Sequence, residues 1–386
     1  MNLSQIFSEF FKSEKTGGLI LIACTILSLL IANSSFGEYY LHFWHRYLDL
    51  SFMHIHLNYS VEYWINDGLM VIFFLLMGLE IERELYDGEL AELRNALLPI
   101  CAALGGMIMP ALFHLSLNIG TSSQAGIGIP MATDIAFALG VLSLLGNKIP
   151  PSLKVFLVAV AIIDDLGAVI LIALFYTQDF SFFYFGVAIM IFVVLMILNR
   201  SKIHNLVFYI LPGIVMWYFM LKSGVHATTV GILLAFAIPF DRDKKLCPSY
   251  RLQHLLHKPV SYLILPVFAL ANTDIVLVPG WYLALRETNA AGILAGLVLG
   301  KPLGVIMSSF IAIKTGLCRR PDDITFRHLA GAGALAGIGF TMSIFIANLA
   351  FADPELVRNS KIAILAASAI AGVAGFSLLS TAPKST

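Results

Sequence analysis

Charge is scarce in this chain of 386 residues: Asp, Glu, Lys and Arg make up 12% of it, against 59% hydrophobic residues. Ordinary soluble domains carry about 25% charged and roughly 45 to 50% apolar residues, so a string of soluble domains is excluded and a membrane protein is expected. Net charge is missing as well. With 24 basic residues against 24 acidic ones, the chain lacks the positive field that gathers nucleic acid, and no nucleic-acid partner is expected. Cysteines number four, at Cys24, Cys101, Cys247 and Cys318, without CxxC or Cys/His spacing. All four read as free thiols, and no motif calls for a structural metal or an organic cofactor. No cleavable leader is expected either: Met1 to Lys15 is polar, the apolar run opens near Gly17, and no small-residue cleavage site follows. The first apolar segment is therefore expected to remain in the mature chain.

Long apolar runs are what the chain has. A helix needs about 20 apolar residues to cross a hydrocarbon core, and twelve segments qualify: 17–33, 62–80, 95–117, 125–147, 155–176, 180–198, 206–221, 223–240, 259–273, 290–313, 329–351 and 362–380. Basic residues collect on the cytoplasmic side of membranes. With the N-terminus inside, 18 Lys and Arg fall in inner connections and 5 in outer ones, Lys301 lying within a segment. That asymmetry supports twelve spans with both termini cytoplasmic, and the whole of 1–386 as a single transmembrane domain. In the longest outer loop, 34–61, Ser51 to Tyr59 alternates loosely in polarity. A small β-hairpin there would offer an edge to a second copy of the chain; an ordinary coil fits the pattern equally well.

A charge at the bilayer centre costs about 2.5 to 3.5 kcal/mol, so the ionisable residues inside segments are the informative ones. Asp164 and Asp165 sit mid-segment in 155–176, Lys301 mid-segment in 290–313, and Asp134 near the middle of 125–147. Their combined insertion cost is of order 10 kcal/mol, too much for packing alone. One carboxylate can pair with Lys301, but three carboxylates at one depth leave negative charge over, and a mobile positive species is the expected counterpart. Adjacent aspartates point about 100° apart on a helix, so one can face Lys301 while the other faces a cavity.

Glycine and proline mark the same depth. In Gly126-Ile127-Gly128-Ile129-Pro130-Met131-Ala132-Thr133-Asp134, Pro130 removes a backbone donor and the glycines weaken the helix, which predicts a break just before Asp134. Gly331, Gly333, Gly337 and Gly339 precede Phe340-Thr341-Met342 in the eleventh segment. Glycines there signal either close packing or a second break. Two interrupted helices at matching places in two halves point to a transporter's midplane site.

These residues carry a resemblance. Ala132-Thr133-Asp134-Ile135-Ala136-Phe137-Ala138-Leu139-Gly140, Ala161-Ile162-Ile163-Asp164-Asp165-Leu166-Gly167, Lys222-Ser223-Gly224-Val225-His226-Ala227-Thr228, Gly300-Lys301-Pro302-Leu303-Gly304 and Gly337-Ile338-Gly339-Phe340-Thr341-Met342-Ser343-Ile344-Phe345 resemble the NhaA family of sodium/proton antiporters, in order and spacing over nearly the whole chain. The resemblance implies an all-α fold of about twelve spans, with inverted repeats at roughly 95–176 and 290–380 and crossed, interrupted fourth and eleventh helices. It implies electrogenic, pH-regulated exchange of cytoplasmic Na⁺ or Li⁺ for external H⁺ across a bacterial inner membrane, with no cofactor beyond the transported ions. Asp164 and Asp165 then match the cation- and proton-binding pair, Lys301 the partner of the first aspartate, and Thr133 with Asp134 the residues that support the site and offset the helix ends. Glu80, Arg83, Glu84, His254 and His257 match positions tied to pH activation, and His226 a midspan histidine; charged residues at helix ends also serve as plain interfacial anchors. Gln253, Tyr250 and Glu82 stand where the family leads one to expect an acid, a lysine and a lysine, which implies a shifted pH window. His114 receives no role.

Other classes fit less well. An intramembrane aspartyl protease takes its aspartates from two helices and typically carries GxGD, absent here. A retinal pump has seven spans, and its Schiff-base lysine is not normally set in Gly-Lys-Pro. An organic-anion or bile-acid type sodium symporter, with similar crossed helices, is the runner-up, disfavoured by three acids against one lysine at the midplane.

Overall fold

The computed structural model describes residues 3–51, 56–177, 180–241 and 247–382. The tip of the expected outer hairpin, residues 52–55, and the basic residues Arg242, Lys244, Lys245 and Lys384 of the charge count lie outside the described residues.

Helix occupies some part of each of the twelve apolar segments. Among the described residues, seven helices are long and apolar enough to cross a membrane, or up to ten if each of three bent pairs is one span. The shortfall from twelve has local causes. The helix Val207–Ser223 is 17 residues long and ends at Gly224, whose φ of +82° is the left-handed conformation that closes helices. Beyond Ser223, regular α-helix in segment 223–240 covers only the nine residues Thr229–Ala237. Large apolar side chains point outward along the long helices; Phe182 is 83% exposed and Leu174 72%. Such surface needs a lipid solvent, and the protein is a multi-pass membrane protein.

Contacts divide the chain into two compact units, each assembled from separated stretches. The second comprises Cys24–Gly88 and Leu171–Val276, with a core of Leu75, Leu79, Tyr209, Met216, Val230 and Leu234. Within it Tyr47–Asp49 pairs antiparallel with Asn58–Ser60, Leu48 opposite Tyr59.

The first unit comprises Met1–Ala23, Glu89–Ile170 and Leu277–Thr386. Two of its helices start on side-chain caps outside the broken pairs' junction: Thr325 and His328 form a reciprocal capping box for Phe326–Ala336, and Asp353 accepts from the Glu355 amide before Pro354–Ser380. Two of its apolar pairs are broken and bent by 44° each, Ser122–Met131 with Ile135–Ser143 and Phe326–Ala336 with Phe340–Ala350. The first half of the former is a 3₁₀ helix holding Gly126, Gly128 and Pro130, the residues whose propensities predict a break at that place. Lys301 opens an α-helical stretch, Lys301–Lys314, immediately after the π-helical turn Gly296–Gly300. That stretch lies against Leu93–Asn118 at a glycine contact: a Cβ on Gly304 would sit 2.1 Å from the Gly105 carbonyl oxygen. A backbone atom cannot yield to it. Gly304→Val is therefore expected to destabilise the purified protein by about 1 to 3 kcal/mol, the usual cost of overpacking, read as a lower unfolding midpoint in detergent.

Candidate functional site

The two breaks in the first unit meet through hydrogen bonds. The Asp134 amide donates to the Ile338 carbonyl at 2.6 Å, and Ser343 Oγ donates to the Ile129 carbonyl at 2.6 Å. Asp134 caps two helices at once. Its Oδ1 accepts from the Phe137 amide at 2.9 Å, at the start of Ile135–Ser143; its Oδ2 accepts from the Thr341 amide at 3.0 Å and hydroxyl at 2.6 Å, at the start of Phe340–Ala350. A helix N-terminus carries roughly half a positive charge, so one carboxylate offsets two of them.

The opposite ends are served by donors. Lys301 Nζ donates to the Met131 carbonyl, the last residue of Ser122–Met131, and to Asp164 Oδ2 at 2.7 Å. Thr133 Oγ1 lies 2.7 Å from the same Asp164 oxygen and 2.8 Å from the carbonyl of Ala336, where Phe326–Ala336 ends. Each half-helix C-terminus thus presents a carbonyl to a group that also holds Asp164. Asp164, Thr133 and Lys301 are fully buried, Asp134 and Asp165 nearly so.

The site is a saturated oxygen beside a bare one: Asp164 Oδ2 meets Lys301 and Thr133, whereas Oδ1 is buried without a hydrogen-bond partner among the described residues. Asp165 is the next residue on the same helix, Pro151–Phe175, 3% exposed. Two carboxylates at one level, one of them with an open oxygen, suit a proton or a small oxygen-seeking cation. Of the residues singled out by sequence, Thr133, Asp134, Asp164 and Lys301 come together here, with Asp165 alongside.

The remaining candidates belong to the second unit. Glu80 is buried, Arg83 Nη2 pairs with Glu84 Oε1 at 2.8 Å, His254 is exposed and His257 half-buried. The unfamiliar Glu82 is buried and accepts from Ser249 Oγ at 2.8 Å, tying Met70–Asp87 to Pro248–Pro259, where Gln253 is buried too. His226 Nε2 lies 3.1 Å from the Tyr176 carbonyl, placing this ring in a backbone contact. Tyr250 sits in the first turn of Pro248–Pro259. In the first unit, His114 is fully buried against Asn289, its Nε2 3.2 Å from Asn289 Oδ1.

Sequence reasoning missed Thr341 and Ser343 as members of the junction. Their signal was present, two hydroxyl residues directly after the glycines of an otherwise apolar segment. The ion pair makes a testable case. Removing one partner of a buried pair costs about 3 to 5 kcal/mol because the other charge is left uncompensated. Lys301→Met is therefore expected to lower the unfolding midpoint more than the double variant Lys301→Met with Asp164→Leu, in side-by-side denaturation of the purified proteins; equal or greater loss in the double variant would contradict the pairing.

Residues 8–379 match the family model described as Na⁺/H⁺ antiporter 1. The Na⁺/H⁺ antiporter NhaA of Dechloromonas aromatica is 57% identical over 382 residues, covering 98% of this chain and 96% of that protein. NhaA 1 of Flavobacterium johnsoniae is 55% identical, covering 97% of each, and the NhaA of Escherichia coli 47%, covering 96% and 97%. In fold, the chain is similar to the sodium proton antiporter MjNhaP1 from Methanocaldococcus jannaschii, with a TM-score of 0.52 at 15% identity over 98% of this chain and all of that one. Matched by the family model over nearly its whole length and by relatives at 47 to 57% identity, the chain belongs to the Na⁺/H⁺ antiporter 1 family, that of NhaA.

Proposed function

We propose that this protein exchanges cytoplasmic Na⁺ or Li⁺ for external H⁺, with protons and cation competing for Asp164 and Asp165. The observation that carries the reading is the buried Asp164, paired through one oxygen and open at the other, at the junction of two broken helices. Relatives named Na⁺/H⁺ antiporter support the ion assignment. Three carboxylates against one lysine argue against the sodium symporter of organic anions.

In this reading the chain has twelve spans with both termini cytoplasmic in a bacterial inner membrane. The repeats at roughly 95–176 and 290–380 are inverted, and the two broken helices cross. Asp165 is the more direct cation ligand. Thr133 and Asp134 hold the junction, and Lys301 releases Asp164 when a cation arrives. If access alternates only in the loaded states, the two fluxes are obligatorily opposed. Two carboxylates allow two protons per cation, so exchange moves net charge and draws about 2.3 kcal/mol per charge per 100 mV from the membrane potential.

Glu80, Arg83, Glu84, His226, His254 and His257 form the proposed pH-regulating set; histidine titrates in the range that would matter. Glu82, bonded to Ser249, replaces a cation by an acid within it and supports a displaced pH window. The short strands in loop 34–61 support a homodimer through strand edges, set among membrane lipids.

The test is exchange itself. In liposomes holding purified protein under an imposed pH gradient, NaCl or LiCl is expected to move protons and KCl is not, with the response lost in Asp165→Asn. Silence to every cation between about pH 6.5 and 9, a window that opens at histidine's ordinary pKa, would sink the reading in favour of symport.

A further inference from the structure

At the end of the first unit where Leu93–Asn118 and Pro151–Phe175 begin, these two helices and the connection after Lys314 line an open cavity of about 630 Å³. Its wall is mixed. Val155 and Phe156 supply apolar surface, and Ser152, Cys318 and Arg319 supply polar groups. Among the described residues of the wall, Arg319 is the one charged side chain, and it makes no ion pair among the described residues. Its neighbour Arg320 is engaged elsewhere, over the Phe326 ring at 5.3 Å. The Cys318 side chain is 6% exposed and opens on the cavity without a hydrogen bond to its sulfur among the described residues. Burial, with Cys101 nearby, pushes this thiol up, so it remains a neutral S–H donor. Ser152 adds a hydroxyl in the first turn of a 25-residue helix, where backbone N–H groups lack intrahelical partners and the helix dipole favours an anion. Acids flank the cavity without lining it: Asp322 and Asp323 follow on the same connection as Arg319, and Glu92 reaches the rim through Asn95 Nδ2 at 3.4 Å.

We propose that this cavity binds the phosphate of an anionic phospholipid, held by Arg319 with Ser152 and Cys318 as further donors, while Val155 and Phe156 receive the adjoining apolar part of the lipid. Guanidinium and phosphate match in geometry and charge. A pocket between spanning helices that offers an arginine, at a membrane edge rich in Lys and Arg, suits such head groups. The half-apolar wall favours a lipid over free phosphate, which shares the chemistry of recognition only at the Arg319 end.

The experiment uses the delipidated full-length protein in detergent at constant ionic strength. Thermal unfolding is followed on titration with phosphatidylglycerol, phosphatidylcholine or sodium phosphate, and bound lipid is counted by native mass spectrometry, for the wild type and for Arg319→Gln. Phosphatidylglycerol is expected to stabilise saturably and to leave an adduct, phosphatidylcholine to do neither, and half-saturation in Arg319→Gln to rise about tenfold, the loss of one charge-assisted hydrogen bond. An Arg319-dependent response to sodium phosphate alone, with no lipid adduct, would overturn the lipid in favour of the free anion. Equal responses to the two lipids, or equal half-saturation in wild type and Arg319→Gln, would overturn the site. Arg319 is exposed, so the variant is expected to fold, and the adduct count reads it even if its midpoint moves. No arm requires transport, so failure here leaves the antiport reading standing, and failure of antiport leaves this site standing.

Discussion

A carboxylate buried in the middle of a membrane protein cannot stay there alone. Asp164 is tolerated because Lys301 reaches it at 2.7 Å, and Lys301 in turn holds the Met131 carbonyl left over by a broken helix. The same economy appears at Asp134, whose two oxygens satisfy the openings of two separate helices. Charges and helix ends each cost several kcal/mol when buried unpaired, and here they compensate one another. The breaks and the charges therefore depend on each other: an unbroken helix would have no carbonyl for Lys301, and an apolar side chain at 134 would leave two sets of amides bare.

This arrangement is also poised for exchange. A fully satisfied polar cluster would be a rigid lock, but Asp164 keeps one buried oxygen without a partner among the described residues, and Asp165 brings a second carboxyl to the same level. The cluster gains by accepting positive charge, and a proton and a small cation satisfy that need equally well in kind though not in number. In the proposed function, competition for the same oxygens is the physical basis of counter-transport.

Much of this is legible in the chain. Apolar runs against 12% charge mark the membrane, and four charged residues near the middle of such runs, Asp134, Asp164, Asp165 and Lys301, mark the candidate site. Pro130 with its glycines predicts the break before Asp134, since propensity is local information. Three things are not local. Thr341 and Ser343 become members of the junction only through long-range hydrogen bonds to Asp134 and Ile129. Hydrophobicity overstates the helix in segment 223–240, where Gly224 and the turn through His226 leave only Thr229–Ala237 regular. The Ser249–Glu82 bond joins residues far apart in sequence, so the acid that reads as a departure from the family has a partner that only the fold supplies.

The central claim is that cation and protons share one site, and binding tests it more directly than transport does. Calorimetric titration of the purified protein with NaCl, in two buffers of different ionisation enthalpy, measures the protons released for each Na⁺ bound. The account predicts proton release with NaCl and LiCl, none with KCl, and none in Asp165→Asn. Sodium binding of the same affinity without any release of protons would contradict it.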